Sequence, residues 1–164
     1  MADDRFHHRA GASAGGWRLP AKRGADAQGL GRSRGGLSTK IHAAGDALGN
    51  PVRLIGSPGQ RNDIAFAHAL IEGFAPDVTI ADKGYDADHL CAKIAESGAQ
   101  LVIPPKRNRT FKRPYDAELY KERNIIERFF NKLKQFRRVA TRYDKLLANF
   151  MGFVKLAAIA IWLK

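Results

Sequence analysis

From residue 37 the chain alternates: Leu37, Thr39, Ile41 and Ala43 fall on one side of an extended backbone and Ser38, Lys40 and His42 on the other. A second run, Val52 to Ile55, follows the turn residues Asp46, Gly49 and Asn50. A period of two interrupted by turn chemistry predicts a β-hairpin, and it assigns Asp46 to the turn. Asp63 then stands as a cap before Ile64, Phe66, Ala67, Leu70 and Ile71, which share one helical side, and Pro76 ends the connection. Val78 to Ala81 is a short apolar run with β-branched members, which predicts a buried strand presenting Asp82 at its C-terminal edge. A helix is expected from about Asp86, its N-cap, to Ser97, with Leu90, Cys91 and Ile94 inward and Gly98 as the stop; a strand at Leu101 to Ile103 follows. Strand, helix, strand in this rhythm predicts an α/β fold.

Residues 118 to 138 contain neither Gly nor Pro and form the strongest helical segment. At about 100° per residue, Ile125, Ile126, Phe129, Phe130, Leu133 and Phe136 occupy one arc, while Tyr120, Arg123, Glu127, Asn131 and Lys134 line another. One face packs; the other carries a carboxylate between cations, an arrangement equally open to a solvated face with helical ion pairs. Residues 146 to 163 form the one long apolar stretch, but Asn149, Gly152 and Lys155 interrupt it, so it reads as a buried or interface helix rather than a span of a ~30 Å bilayer. Residues 1 to 36 show no apolar period of 2 or 3.6; residues 1–30 read as a disordered, basic leader and residues 31–164 as the folded part.

Composition adds a partner. Lys and Arg number 28 against 16 Asp and Glu, a net charge of +12, in a chain that is still 45% apolar. Such a balance favours a polyanion, without separating DNA from RNA. Lys106, Arg107, Arg109, Lys112 and Arg113 cluster after Pro104 and Pro105 with Phe111 among them, a loop suited to backbone phosphates or simply to solvent. Cys91 is the only cysteine, which excludes an internal disulfide and a cysteine-built zinc site, and fits a cytoplasmic protein.

The interval Tyr120, Arg123, Glu127, Lys134 resembles the Y-R-E-K signature of DDE-type insertion-sequence transposases with a ribonuclease H-like fold. Thr39-Lys40-Ile41-His42, Ser57-Pro58-Gly59-Gln60, Ala81-Asp82-Lys83-Gly84-Tyr85-Asp86, Ile103-Pro104-Pro105 and Arg142-Tyr143-Asp144-Lys145 are similar to the same family. The resemblance implies an incomplete ribonuclease H-like α/β domain: a hairpin, alternating helices and strands, and two long C-terminal helices. It implies that Asp82 and Glu127 are catalytic carboxylates that bind Mg²⁺ or Mn²⁺, since in-line phosphodiester cleavage and strand transfer benefit from hard cations on the attacking and leaving oxygens. Tyr120, Arg123 and Lys134, together with Lys106, Arg107 and Arg109, would hold DNA. His42 and Asp86 are secondary candidates. Insertion-sequence ends and target DNA are the implied partners, in a homo-oligomer at the nucleoid.

The family's first aspartate, in a strand context such as Ile-Asp-Ser-Thr, is missing: Asp3 and Asp4 precede Arg5-Phe6-His7-His8. With suitable synonymous codons, a one-nucleotide shift across Met1 to Ser13 reads Trp-Arg-Met-Ile-Asp-Ser-Thr-Ile-Val-Arg-Ala-His. The first aspartate is therefore expected from an upstream frame, with the junction between about residues 14 and 30; the coding nucleotide sequence tests this. Two other functions remain: a non-catalytic DNA-binding fragment of the same element, and an RNA-binding protein, which charge alone suggests.

Overall fold

The computed structural model describes residues 2–8, 24, 26–33 and 36–163, with backbone alone for Ala2–His8 and Ser33. Strand β3 (Gly36–Gly45) organises one sheet. It pairs antiparallel with β4 (Pro51–Pro58), β2 (Gly31–Ser33) and β1 (Ala2–His8), and β1 in turn runs parallel to β7 (Thr141–Arg142). Strands β5 (Val78–Ile80) and β6 (Gln100–Val102) form a parallel pair, joined through helix α2 (Asp88–Glu96). Helix α1 (Ile64–Ile71) covers one face of the large sheet; α4 (Asn124–Leu133) and α6 (Leu147–Trp162) cover the other.

The predicted hairpin, the three helices beginning near residues 64, 88 and 147, and the two buried strands are all present as a mixed α/β fold. Two cores follow from the alternation along β3. Ile41 and Ala43 join Phe129, Phe130, Leu133 and Phe150, while Ala44 joins Leu70, Tyr85 and Leu90. The polar side of β3 is buried as well, because α1 closes over it. Lys40 Nζ donates to Asp63 Oδ1 at 2.7 Å and to Arg61 O at 3.0 Å, and His42 Nε2 shares a hydrogen bond of 2.8 Å with Ser57 Oγ. Gly49, at φ 86°, lets the hairpin turn lie against α4, where a Cβ would collide with Cγ2 of Ile125.

Three expectations change. The leader was expected to hold no strand, yet Ala2–His8 pairs with β3 from Ala2↔Ala43 to His7↔Ser38. Strand pairing uses backbone N–H and C=O groups, so it does not need an apolar period. Residues 9–23, which include part of the expected frame junction, lie outside the described residues. Second, the expected helix over 118–138 is divided into α3 (Ala117–Tyr120), a 3₁₀ turn at Lys121–Arg123, α4, and α5 (Arg137–Ala140). Phe136 leaves helical geometry (φ −80°, ψ 107°) and packs its half-buried ring against the Phe129 core, so one long helix and several short ones stand where two long helices were expected. Third, Asp86 does not cap α2. Ala87 holds that position, and the Asp86 carboxylate is engaged elsewhere.

Candidate active site and nucleic-acid interface

Asp82 sits where β5 ends. Ala81 N still donates to Val102 O, continuing the parallel ladder, and the next residue turns the chain out of it. The Asp82 carboxylate accepts from Lys83 N at 2.7 Å and so caps the 3₁₀ turn Lys83–Tyr85, which the buried Tyr85 ring anchors beneath. This fixes a half-buried carboxylate at the C-terminal edge of a strand.

The second carboxylate comes from α4. Asp116 caps α3 by accepting from Glu118 N and Leu119 N, both at 2.9 Å, which sets the helical phase for the residues that follow. On the resulting face Arg123 Nη2 donates to Glu127 Oε1 at 2.6 Å, and the guanidinium lies 5.5 Å from the centre of the Tyr120 ring. Burial alone would lower the Arg123 pKa; Tyr120, Glu127 and Asp82 outweigh it and raise it. Burial also raises the Tyr120 pKa, with Arg123 lowering and Asp82 raising it. Arg123 thus bonds Glu127, and the Asp82 charge adds to the rise of its pKa. Lys134, at the C-cap of α4, stands about 10 Å further along the helix axis on the same face.

Two half-exposed carboxylates supply hard oxygen donors of the kind Mg²⁺ takes while keeping water ligands, so the residues fit such an ion. Among the described residues no group of three or more His, Cys, Asp or Glu side chains is arranged to hold a metal.

The basic loop departs from its expected role at one residue. Asp86, only 5% exposed, accepts from Lys106 N, Arg109 Nε and Arg113 Nη2, each at 2.8 Å. Arg109 also reaches Asp88 at 2.8 Å and Arg113 reaches it at 3.3 Å. Arg109 was expected to hold phosphate; its guanidinium is instead bound by two protein carboxylates, because a buried carboxylate requires donors and the loop supplies them. Arg107 is exposed and Lys106 half-buried. The sequence carries no signal for this contact, since residues 86 and 109 are far apart in the chain.

Burial would raise the Asp86 pKa, but Arg109, the Lys106 amide and Arg113 hold it at about 2. A carboxylate whose pKa falls on folding contributes stability above its unfolded value near 4 and loses it as pH drops through about 2. Denaturant melts from pH 5 to 2 are expected to show a loss of about 2 kcal/mol from this group. That loss should be absent from the acid limb of Asp86→Asn.

His42 is held neutral. Burial is the main cause of its pKa falling to about 4, with Asp63 opposing and Lys40 adding to the fall. Stacked on Phe66 at 4.5 Å, it is a packing residue of the hairpin. Arg142, which the sequence marks only as part of the family-like Arg142-Tyr143-Asp144-Lys145 run, is fully buried and ties four segments together.

The scaffold is a mixed α/β domain with one carboxylate at a strand end and another on a helix. The chain belongs to the transposase DDE domain family, whose model matches residues 4–163. It is 46% identical over 132 residues to the transposase assigned to insertion sequence element IS6501 of Brucella ovis, covering 78% of this chain and all of that protein. It is 28% identical over 135 residues to the transposase assigned to IS402 of Burkholderia cepacia, covering 75% of this chain and 62% of that protein. No solved structure matches the chain. Among the described residues no helix is long and apolar enough to cross a membrane.

Proposed function

We propose that this chain serves DNA transposition by contributing Asp82 and Glu127 to metal-dependent phosphodiester cleavage and strand transfer at insertion-sequence ends. The observation that carries the reading is Arg123, bonded to Glu127 at 2.6 Å and within electrostatic reach of Asp82, in a member of the transposase DDE domain family. The fold is read as ribonuclease H-like, supported by a hairpin, a covering helix and a carboxylate at the end of β5.

Asp82 and Glu127 would hold a divalent cation, which when bound lowers the charge repulsion at the scissile phosphate and favours an ionised water nucleophile. Arg123 keeps Glu127 oriented and places positive charge where a phosphate oxygen would lie. The Lys83 amide fixes the Asp82 carboxylate. Tyr120 offers a ring and a hydroxyl to the strand, and Lys134, Lys106 and Arg107 offer phosphate contacts further out. The first aspartate of the family pattern is assigned to an upstream frame.

Cleavage of DNA carrying the element's ends, by the transposase expressed from its intact element, is the test. Nicking is expected with Mg²⁺ or Mn²⁺ and to vanish with EDTA; nicking that persists in EDTA would overturn the reading. One observation favours a second reading, a DNA-binding product without cleavage: no third ligand joins the two carboxylates among the described residues. That reading predicts salt-dependent DNA binding with no nicking under any metal.

A further inference from the structure

The loop between β6 and α3 combines a rigid mounting with an exposed aromatic ring. Asp86 and Asp88 bind Arg109 and Arg113 and, through Lys106 N, the loop backbone. Those two arginines therefore hold the loop in place instead of reaching outward. Arg107 and Lys112 face solvent, and no ion pair engages them among the described residues. Between these cations stands Phe111, 84% exposed, the most exposed aromatic side chain described. An apolar ring held in water at the tip of a fixed loop has gained nothing from folding, and its flat face is available to a partner.

The loop is tied to the candidate site at both ends. Asp86 follows Asp82 by four residues across the 3₁₀ turn, and at the other end Tyr115 packs edge-on against Tyr120, ring centres 5.7 Å apart. The loop and the Asp86–Asp88 segment line an open cleft of about 500 Å³, with Phe111 on its wall and the Arg109–Asp86 pair within it, room enough for a nucleobase.

We infer that this loop is a platform for an unpaired DNA nucleotide beside the scissile phosphate, with Phe111 stacking on the base and Arg107 and Lys112 neutralising the adjoining phosphates. The inference rests on the DNA reading above and names the form of DNA that the loop takes. Within a duplex the base faces are covered by their neighbours, so a protruding ring gains little; on an unpaired strand each base offers a face, and the stacking tolerates any sequence. Phosphate contacts by Arg107 and Lys112 serve duplex and single strand alike.

Fluorescence anisotropy of the full 164-residue chain tests this, using a flush-ended duplex and the same duplex with a short single-stranded tail. The wild type is expected to prefer the tailed DNA. Phe111→Ala is expected to lose roughly 5- to 50-fold in affinity for the tail while its duplex affinity and salt dependence stay unchanged. Phe111→Trp should restore the preference, and 2-aminopurine in the tail should be quenched by the wild type and not by Phe111→Ala. Arg107→Ala and Lys112→Ala should each reduce the salt slope by about 1 on both DNAs. Equal wild-type affinity for both DNAs, or equal weakening of both by Phe111→Ala, would overturn the inference while leaving the DNA reading intact. No binding to either DNA would overturn the DNA reading, and this inference with it.

Discussion

Alanine at Asp82 or at Glu127 is expected to reduce metal-dependent strand cleavage on the order of 1000-fold or more, with binding of element-end DNA held within a few-fold. The two positions differ in what else they do, which makes the comparison informative. Glu127 is 47% exposed and pairs with Arg123 one helical turn away, a surface pair of about 0.5 kcal/mol at most. Loss of cleavage in Glu127→Ala would thus report chemistry, not unfolding. Asp82 also caps the turn that follows it, so Asp82→Ala carries an added cost of about 1 kcal/mol. Asp82→Asn keeps an oxygen for the Lys83 amide and separates the two contributions. Removing either negative charge should, if anything, tighten DNA binding, since it lessens repulsion of phosphate. Cleavage unchanged in both alanine variants, measured on supercoiled substrate at saturating Mg²⁺, would remove these residues from the centre.

The elements legible in the sequence were those whose signal is local. The two-residue period from Leu37 to Ala43 specified β3 and the faces of its side chains, and the Asp46, Gly49, Asn50 group specified its turn. Asp46 Oδ1 accepts from Leu48 N and Asn50 N, both at 2.9 Å, as turn chemistry predicts. The helical period placed Arg123 one turn before Glu127. What the period could not tell was whether the polar side of β3 met solvent. Lys40 and His42 are buried because α1 brings Asp63 and Phe66 over them, a fact of tertiary packing. The same holds for Arg109. Its charge and loop position suggested DNA, and only the fold sets a buried carboxylate opposite it. The interruption at Lys134 to Phe136 also had no local mark, since no Gly or Pro occurs there; the core takes up the Phe136 ring at the expense of one long helix. The period likewise failed at β1, which pairs with β3 through a backbone ladder. Helix propensity and binary pattern are weak where tertiary contacts decide.

Arg142→Ala is expected to destabilise the fold by about 3 to 5 kcal/mol, a large share of what a domain of this size has. Arg142 is fully buried, and its guanidinium is used on every side. Nε donates to Asp144 O at 2.8 Å and Nη2 to Lys145 O at 3.1 Å, which shapes the turn leading into α6. Nη1 points the other way, to Thr39 Oγ1 on β3 and to Gly29 O before β2. Its Cζ lies 5.2 Å from the centre of the Phe150 ring, joining the polar cluster to the α6 core. Burial lowers the guanidinium pKa and Asp144 only partly restores it, yet an arginine retains its proton throughout any working pH. Truncation leaves the Asp144 and Lys145 carbonyl oxygens and the Thr39 hydroxyl without this donor, while Gly29 O keeps the Thr39 hydroxyl at 2.7 Å, and it opens a cavity. Lysine cannot replace the fork: one ammonium cannot reach acceptors on opposite sides, so Arg142→Lys should recover less than half of the loss. Urea denaturation followed by circular dichroism reads the effect as a lower midpoint at unchanged slope. A shift under about 1 kcal/mol in Arg142→Ala would mean that water replaces these bonds and that Arg142 is not what joins β3, the chain before β2, and α6.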